Sequence, residues 1–147
     1  MIPPGALVVL DTNVLLALVR GKALGEPIDR EFALRTRPER PLVSVVAIGE
    51  ALALAYKFNW GEAKREMPRS QLGAFVPIGL LQSDIIERYA VLSAHCEANG
   101  LSLSDNDRWI AATAGSTGAW LLTTDKDFLP LDPDFIQLAW IDPAAAP

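Results

Sequence analysis

The sequence predicts an α/β domain built on a mostly parallel sheet of four to five strands. Short apolar runs alternate with longer helical patterns, the order that produces a parallel sheet with helices on its faces. The first run, ALVVL at residues 6–10, is apolar throughout, as expected for a strand buried on both faces. With 147 residues, no internal repeat and no linker, the chain 1–147 is predicted to form a single domain.

The predicted elements follow from apolar runs, helical spacing and capping residues. Strands are predicted at residues 6–10, 42–46, 75–78, 119–123 and 135–141. Helices are predicted at residues 13–20, 47–58, 83–99 and 105–116, with short helices at 29–35 and within 59–75. The helix ends rest on serine N-caps and glycine C-caps, namely Ser44, Ser83, Ser104, Gly100, and Gly115 or Gly118.

Two segments depart from this alternation. Residues 21–41 form a polar insert rich in Arg and Pro, and residues 143–147 are predicted to be a short disordered tail.

The composition, 50% hydrophobic and 21% charged, is that of a globular domain. No apolar run approaches the ~18–20 residues that a membrane-spanning helix needs, and the opening MIPPGALVVLD lacks the basic segment of a secretory signal. Cys96 is the single cysteine, so no internal disulfide can form, and a cytoplasmic protein is predicted. The net charge of −5 means that a nucleic acid would have to be bound by local basic patches.

Acidic residues recur where a parallel sheet would bring them together. Asp11 directly follows the first strand and Asp125 follows the fourth, so both are expected at the carboxyl edge of the sheet, where ligands bind. Glu50 lies in an almost wholly apolar helical stretch, where an unpaired carboxylate is costly, so it is expected to need a cation. Asp107 stands at the start of a later helix.

Each of these acids also has an ordinary explanation. Asp11 could cap a helix, Asp107 could complete a capping box with Ser104, and Asp125 and Asp127 could lie in a solvated turn. Together, however, clustered carboxylates repel one another, and such clusters take up protons or bind a hard divalent cation such as Mg²⁺ or Mn²⁺. The chemistry that uses such a site is phosphoryl transfer, in which the ion activates water and neutralises phosphate charge.

Four stretches of the chain resemble the PIN-domain family, and within it the VapC-type toxins of bacterial toxin–antitoxin pairs. They are VVLDTNVLLAL, VSVVAIGEALAL, DNDRWIAATA and WLLTTDKDF, in the family's order and spanning Val8 to Phe128. The resemblance implies a PIN-like three-layer α/β/α fold and a Mg²⁺- or Mn²⁺-dependent ribonuclease that hydrolyses RNA phosphodiester bonds. It also implies a homodimer and a cognate antitoxin protein.

Carried over by position, the resemblance implies a catalytic and metal-binding acidic quartet of Asp11, Glu50, Asp107 and Asp125, with Asp127 as a further acid of the metal site. Groups that orient the carboxylates and waters are implied to be Thr12, Asn13, Ser44 and Thr124. RNA contacts are expected from Arg35, Arg37, Arg108 and Lys126.

Other functions remain open at this point. A PIN-like domain can act as a nuclease outside toxin–antitoxin pairs, or as an RNA-binding or scaffolding module. A metal-dependent phosphatase of the haloacid-dehalogenase type also places an Asp after strand one, but it needs a second acid two residues later, where this chain has Asn13. A receiver domain does not account for Glu50 on a helix, and the chain lacks the glycine-rich turn of dinucleotide-binding and P-loop enzymes after strand one.

Overall fold

A five-stranded parallel sheet organises the chain. The structure is a computed structural model that describes residues 2–20, 25–58, 72–82 and 84–145. The strands are β1 (Val8–Leu10), β2 (Leu42–Ser44), β3 (Val76–Ile78), β4 (Trp120–Thr123) and β5 (Gln137–Trp140). They lie in the order β3-β2-β1-β4-β5 and every pairing is parallel. The predicted α/β architecture with a parallel sheet is confirmed.

In the ranges that the structure describes, five helices connect and cover these strands. They are α1 (Thr12–Arg20), α2 (Gly25–Phe32), α3 (Val45–Lys57), α4 (Ile85–Ala98) and α5 (Asp105–Thr117). Helix α1 packs against α2 and α3, and α4 packs along α5. Short 3-10 turns span Leu72–Ala74, Lys126–Leu131 and Pro143–Ala145. Within the described ranges, none of the helices is both long and apolar enough to cross a membrane.

The core lies on both faces of the central strands. In β1, Val9 and Leu10 are fully buried, as the continuous apolar run predicted. Helix α1 buries most of its length because α2 begins directly against it. A Cβ at Gly25 would stand 2.3 Å from the carbonyl oxygen of Ala17, so only glycine allows the two backbones to approach this closely.

Several predicted boundaries are confirmed by their caps. The hydroxyl of Ser44 accepts from the Val46 N–H at 3.1 Å, and that of Ser104 accepts from the Asp107 N–H at 3.2 Å. Gly118 ends α5 with a left-handed φ of 71°. Because Ser44 is an N-cap, β2 stops there instead of running to residue 46.

Other predicted boundaries were wrong. The helix in the polar insert spans Gly25–Phe32 and not residues 29–35. Pro27 lies in its first turn, where a helix tolerates proline because the missing N–H would have no intrahelical partner. Residues 143–145 form a 3-10 turn where a disordered tail was predicted. Ser83 and the helix predicted within 59–75, up to residue 71, lie outside the described residues.

Candidate active site

The four acids predicted to act together line one cavity at the carboxyl edge of the sheet. Asp11 follows β1 and Asp125 follows β4, the neighbouring strands at which the strand order reverses, and ligands of open α/β sheets bind at such a switch point. The cavity measures about 550 Å³. Its lining comprises Asp11, Thr12, Asn13, Glu50, Ala53, Leu54, Lys57, Ser104, Asn106, Asp107 and Asp125.

Asp11 lines the cavity and is buried, with 3% of its surface exposed. Its Oδ2 accepts from the Thr123 hydroxyl at 2.6 Å, and its Oδ1 accepts from the Thr12 N–H at 2.8 Å. Burial raises the pKa of Asp11 above its ordinary value, and the negative charges of Asp125 and Glu50 raise it further. The carboxylate is therefore fixed in position at an energetic cost to its ionised form.

Glu50 is held in place by two neutral donors. Its Oε1 accepts from the Thr12 hydroxyl at 2.6 Å, and its Oε2 accepts from the Asn106 side-chain amide at 3.1 Å. These bonds connect α1, α3 and α5, and the Thr12 hydroxyl contacts a carboxylate of the site, which is the position that the sequence predicted for it.

Sequence reasoning missed Asn106. The signal available was its place directly before Asp107 in the first turn of a helix, where a polar residue is ordinarily explained by solvation. Its amide can be recognised as part of the site only once α3 is known to pack beside α5.

Asp107 projects from the first turn of α5 into the same cavity. Its pKa is raised from 3.8 to about 6, first by burial and then by the charge of Asp11, with further contributions from Asp125 and Glu50. The four acids therefore lie within each other's electrostatic field. The adjacent Asp105 instead accepts from the Tyr89 hydroxyl at 2.8 Å and does not line the cavity.

Asp125 lines the cavity and also begins the 3-10 turn that follows β4. Its backbone N–H donates to the Thr123 hydroxyl at 2.9 Å, and its Oδ1 accepts from the Asp127 N–H at 2.8 Å. Asp127 contacts the site through this backbone group, and its side chain is not part of the cavity lining. The structure therefore places the Asp127 carboxylate outside the cavity that the quartet lines, contrary to the prediction.

At the end of β4, the threonine whose hydroxyl contacts the site is Thr123, one residue before the predicted Thr124. Thr123 is fully buried and its hydroxyl contacts both Asp11 and Asp125, whereas the carbonyl of Thr124 accepts from the Trp140 indole N–H at 3.1 Å. Ser44 also lies outside the cavity lining. It acts as the N-cap of α3, the helix that carries Glu50, while Asn13 does line the cavity as an exposed residue.

Two of the arginines predicted to contact RNA are engaged in holding the fold together. The Arg35 guanidinium pairs with Asp29 Oδ2 at 2.8 Å. The Arg37 guanidinium donates to three backbone carbonyls within 3.2 Å, those of Pro3, Ala6 and Phe32. Arg37 therefore fastens the segment before β1 to the end of α2, which does not support an RNA-binding role.

The other two predicted RNA contacts differ from each other. Arg108 is largely buried, donating to the Leu103 carbonyl at 3.1 Å and to Glu97 Oε1 at 3.4 Å, so it also serves the fold. Lys126 is exposed beside the site, with its ammonium 5.0 Å from the centroid of the Trp140 ring. An RNA contact by Lys126 stays a prediction.

The quartet fits a divalent cation by its chemistry. All four side chains supply carboxylate oxygens, the ligands that hard divalent ions prefer, and their mutual repulsion is relieved by positive charge. Among the residues that the structure describes, no three acidic, histidine or cysteine side chains are arranged to hold one ion together.

The fold and the site together define an α/β domain whose clustered acids meet at the switch point of a parallel sheet. The family profile of the PIN domain matches residues 8–132, and the chain belongs to this family.

Named relatives place the chain more narrowly within the family. Ribonuclease VapC4 of Mycobacterium tuberculosis is 36% identical over 94 residues, covering 63% of this chain and 71% of that protein. Ribonuclease VapC5 of the same organism is 27% identical over 129 residues, covering 84% and 87%. The crystal structure of VapBC-5, a toxin–antitoxin system of Mycobacterium tuberculosis, contains a chain similar to this one at 25% identity, with a TM-score of 0.67 and coverage of 92% and 99%. The predicted resemblance to the PIN domain and to VapC-type proteins is confirmed.

Proposed function

We propose that this protein is a divalent-metal-dependent endoribonuclease that hydrolyses RNA phosphodiester bonds and acts as the toxin of a toxin–antitoxin pair. The observation that carries the proposal is the convergence of four carboxylates around one cavity at the switch point of the sheet. Relatives named as ribonucleases, and a similar chain within a toxin–antitoxin complex, support it.

The cofactor is Mg²⁺ or Mn²⁺, both of which favour oxygen ligands. Asp11, Glu50, Asp107 and Asp125 are the residues that would hold it. A bound ion supplies a more acidic water and neutralises charge on the phosphate and on the leaving oxygen.

The residues of the chain supply orientation and proton transfer. Thr12 and Thr123 fix Asp11, and Thr12 and Asn106 fix Glu50, so these carboxylates need little reorganisation when RNA binds. A carboxylate of the cluster accepts the proton of the attacking water. In-line attack on phosphorus then leaves a 5′-phosphate and a 3′-hydroxyl end.

The proposed assembly is a homodimer whose partner is a cognate antitoxin protein, in the cytoplasm where both the antitoxin and cellular RNA are found. Size-exclusion chromatography with light scattering tests the dimer. If a small open reading frame lies beside the gene, co-expression of its product tests the antitoxin, which should restore growth to cells that are arrested by the toxin alone.

The experiment that tests the activity is cleavage of a mixed cellular RNA pool by purified protein with Mg²⁺, with Mn²⁺ or with EDTA. Cleavage should require a divalent ion and should be lost in Asp11→Asn. The matched control is Asp134→Asn, which removes one exposed carboxylate just before β5, at the opposite edge of the sheet. Absence of cleavage by folded, partner-free protein under every condition would contradict the proposal and favour a binding or scaffolding module, or a phosphatase.

A further inference from the structure

One face of α3 forms a wall of the acidic cavity, and that face has opposite charges at its two ends. Its lining residues are Glu50, Ala53, Leu54 and Lys57, spaced three, four and seven residues from the first, which places them on a single helix face. At 1.5 Å per residue, Glu50 and Lys57 are about 10.5 Å apart along the helix axis. The wall therefore runs from a carboxylate, across a small apolar surface, to an ammonium group.

Lys57 is the one basic residue among the described residues that line the cavity. Its side chain is exposed, and its ammonium lies 5.6 Å from the centroid of the Phe58 ring. Within the described part of the chain it has no ion-pair partner, in contrast to Arg35 and Arg108. This cation is thus available to a ligand that enters the cavity.

An RNA strand approaching the quartet meets strong negative charge, so its backbone needs positive charge near the cavity. Phosphate contacts supply most of the affinity of proteins for nucleic acid. Lysine suits this task, because its ammonium is a mobile point charge that tolerates variation in phosphate position.

We propose that Lys57 binds a backbone phosphate of the RNA next to the one that is cleaved, with Ala53 and Leu54 forming the surface beneath the intervening nucleotide. The inference rests on the proposed ribonuclease function. Since Glu50 and Lys57 are two helical turns apart, the wall of α3 contacts two successive positions of one strand and sets its direction across the site.

The test measures binding of a short single-stranded RNA by fluorescence anisotropy over a range of salt concentrations, in an Asp11→Asn background that prevents cleavage. Loss of one phosphate contact on a single strand lowers the slope of log affinity against log salt by about 0.7. Lys57→Gln should show this reduction together with several-fold weaker binding, and Lys57→Arg should retain the parent slope. Arg30→Gln is the matched control, because it removes one positive charge from an exposed residue of α2 outside the cavity lining.

A second measurement locates the contact on the RNA. A neutral methylphosphonate linkage is placed at each position on either side of the cleavage site. At one flanking position it should weaken binding by the parent protein while leaving binding by Lys57→Gln unchanged.

An unchanged slope in Lys57→Gln, or an equal loss in Arg30→Gln, overturns the inference even where RNA cleavage by the parent chain is intact. Failure of the folded parent chain to bind or cleave any RNA overturns the ribonuclease function itself and the inference with it. The two failures are therefore distinguishable.

Discussion

Replacing Asp107 with asparagine should stabilise the metal-free protein at neutral pH while abolishing cleavage. The pKa of Asp107 is raised from 3.8 to about 6, mainly by burial and then by the charge of Asp11. A carboxyl with a higher pKa in the folded state opposes folding once it ionises. The resulting loss of stability is absent below the unfolded pKa, develops as pH rises from 3.8 to about 6, and is constant above that. Asparagine removes the charge and keeps the backbone N–H that donates to Ser104.

The expected gain in unfolding free energy follows from how far the pKa of Asp107 is raised. Two pKa units at 1.36 kcal/mol each set an upper bound of about 3 kcal/mol. Because Asp107 is only half-buried, solvent screening reduces the expected gain in unfolding free energy to about 1–2 kcal/mol.

Urea denaturation in EDTA, followed by tryptophan fluorescence at about pH 7.5 and about pH 4.5, measures this gain. Asp107→Asn should be more stable than the parent chain at the higher pH, and its advantage should fall to about a third of that value at the lower pH. Asp134→Asn, an exposed carboxylate before β5, should match the parent at both. With a divalent ion present the order should reverse, since the ion stabilises only the folded chain that can bind it. The reasoning is refuted if the gain is equal at both pH values, or if Asp134→Asn reproduces it.

Three further substitutions test how the site and fold are held. Asn106→Ala should weaken metal affinity by about 10- to 100-fold, because Glu50 loses one of its two donors, and titration calorimetry with Mn²⁺ measures this. Arg37→Gln should lower the free energy of unfolding by about 1–3 kcal/mol through its lost carbonyl contacts, while the salt dependence of RNA binding stays unchanged. Gly25→Ala should cost about 1–3 kcal/mol or prevent folding, because a Cβ would collide with the backbone of Ala17, and thermal melting shows either result.

The sheet and the acids were predictable because each depends on local sequence. A continuous apolar run such as residues 6–10 indicates a buried strand, and an acid directly after it must emerge at the carboxyl edge. The serine caps at Ser44 and Ser104 are likewise local signals, and both are confirmed.

The roles of the arginines were not predictable in this way, because their partners are distant in sequence. Arg37 binds the carbonyls of Pro3 and Ala6, which lie 34 and 31 residues away along the chain. In sequence, an arginine that binds backbone carbonyls looks the same as one that binds phosphate. The choice between Thr123 and Thr124 depended on which residue of the strand end points inward, and only the register of β4 against β1 decides that.

Neutral donors position the acid cluster, so its negative charge is retained and affects both the stability of the fold and its affinity for metal. Hydroxyl and amide groups of Thr12, Thr123 and Asn106 fix the carboxylates of Asp11 and Glu50 without cancelling their charge. A lysine or arginine in these places would relieve the repulsion that, in addition to burial, raises the pKa of Asp11, but it would also remove the field that attracts a divalent ion. The same negative charge therefore destabilises the metal-free fold and supplies metal affinity. Among substitutions that neutralise one of these acids, those that raise the free energy of unfolding most should also weaken metal binding most. This correlation distinguishes a working metal site from an acid cluster that is merely buried.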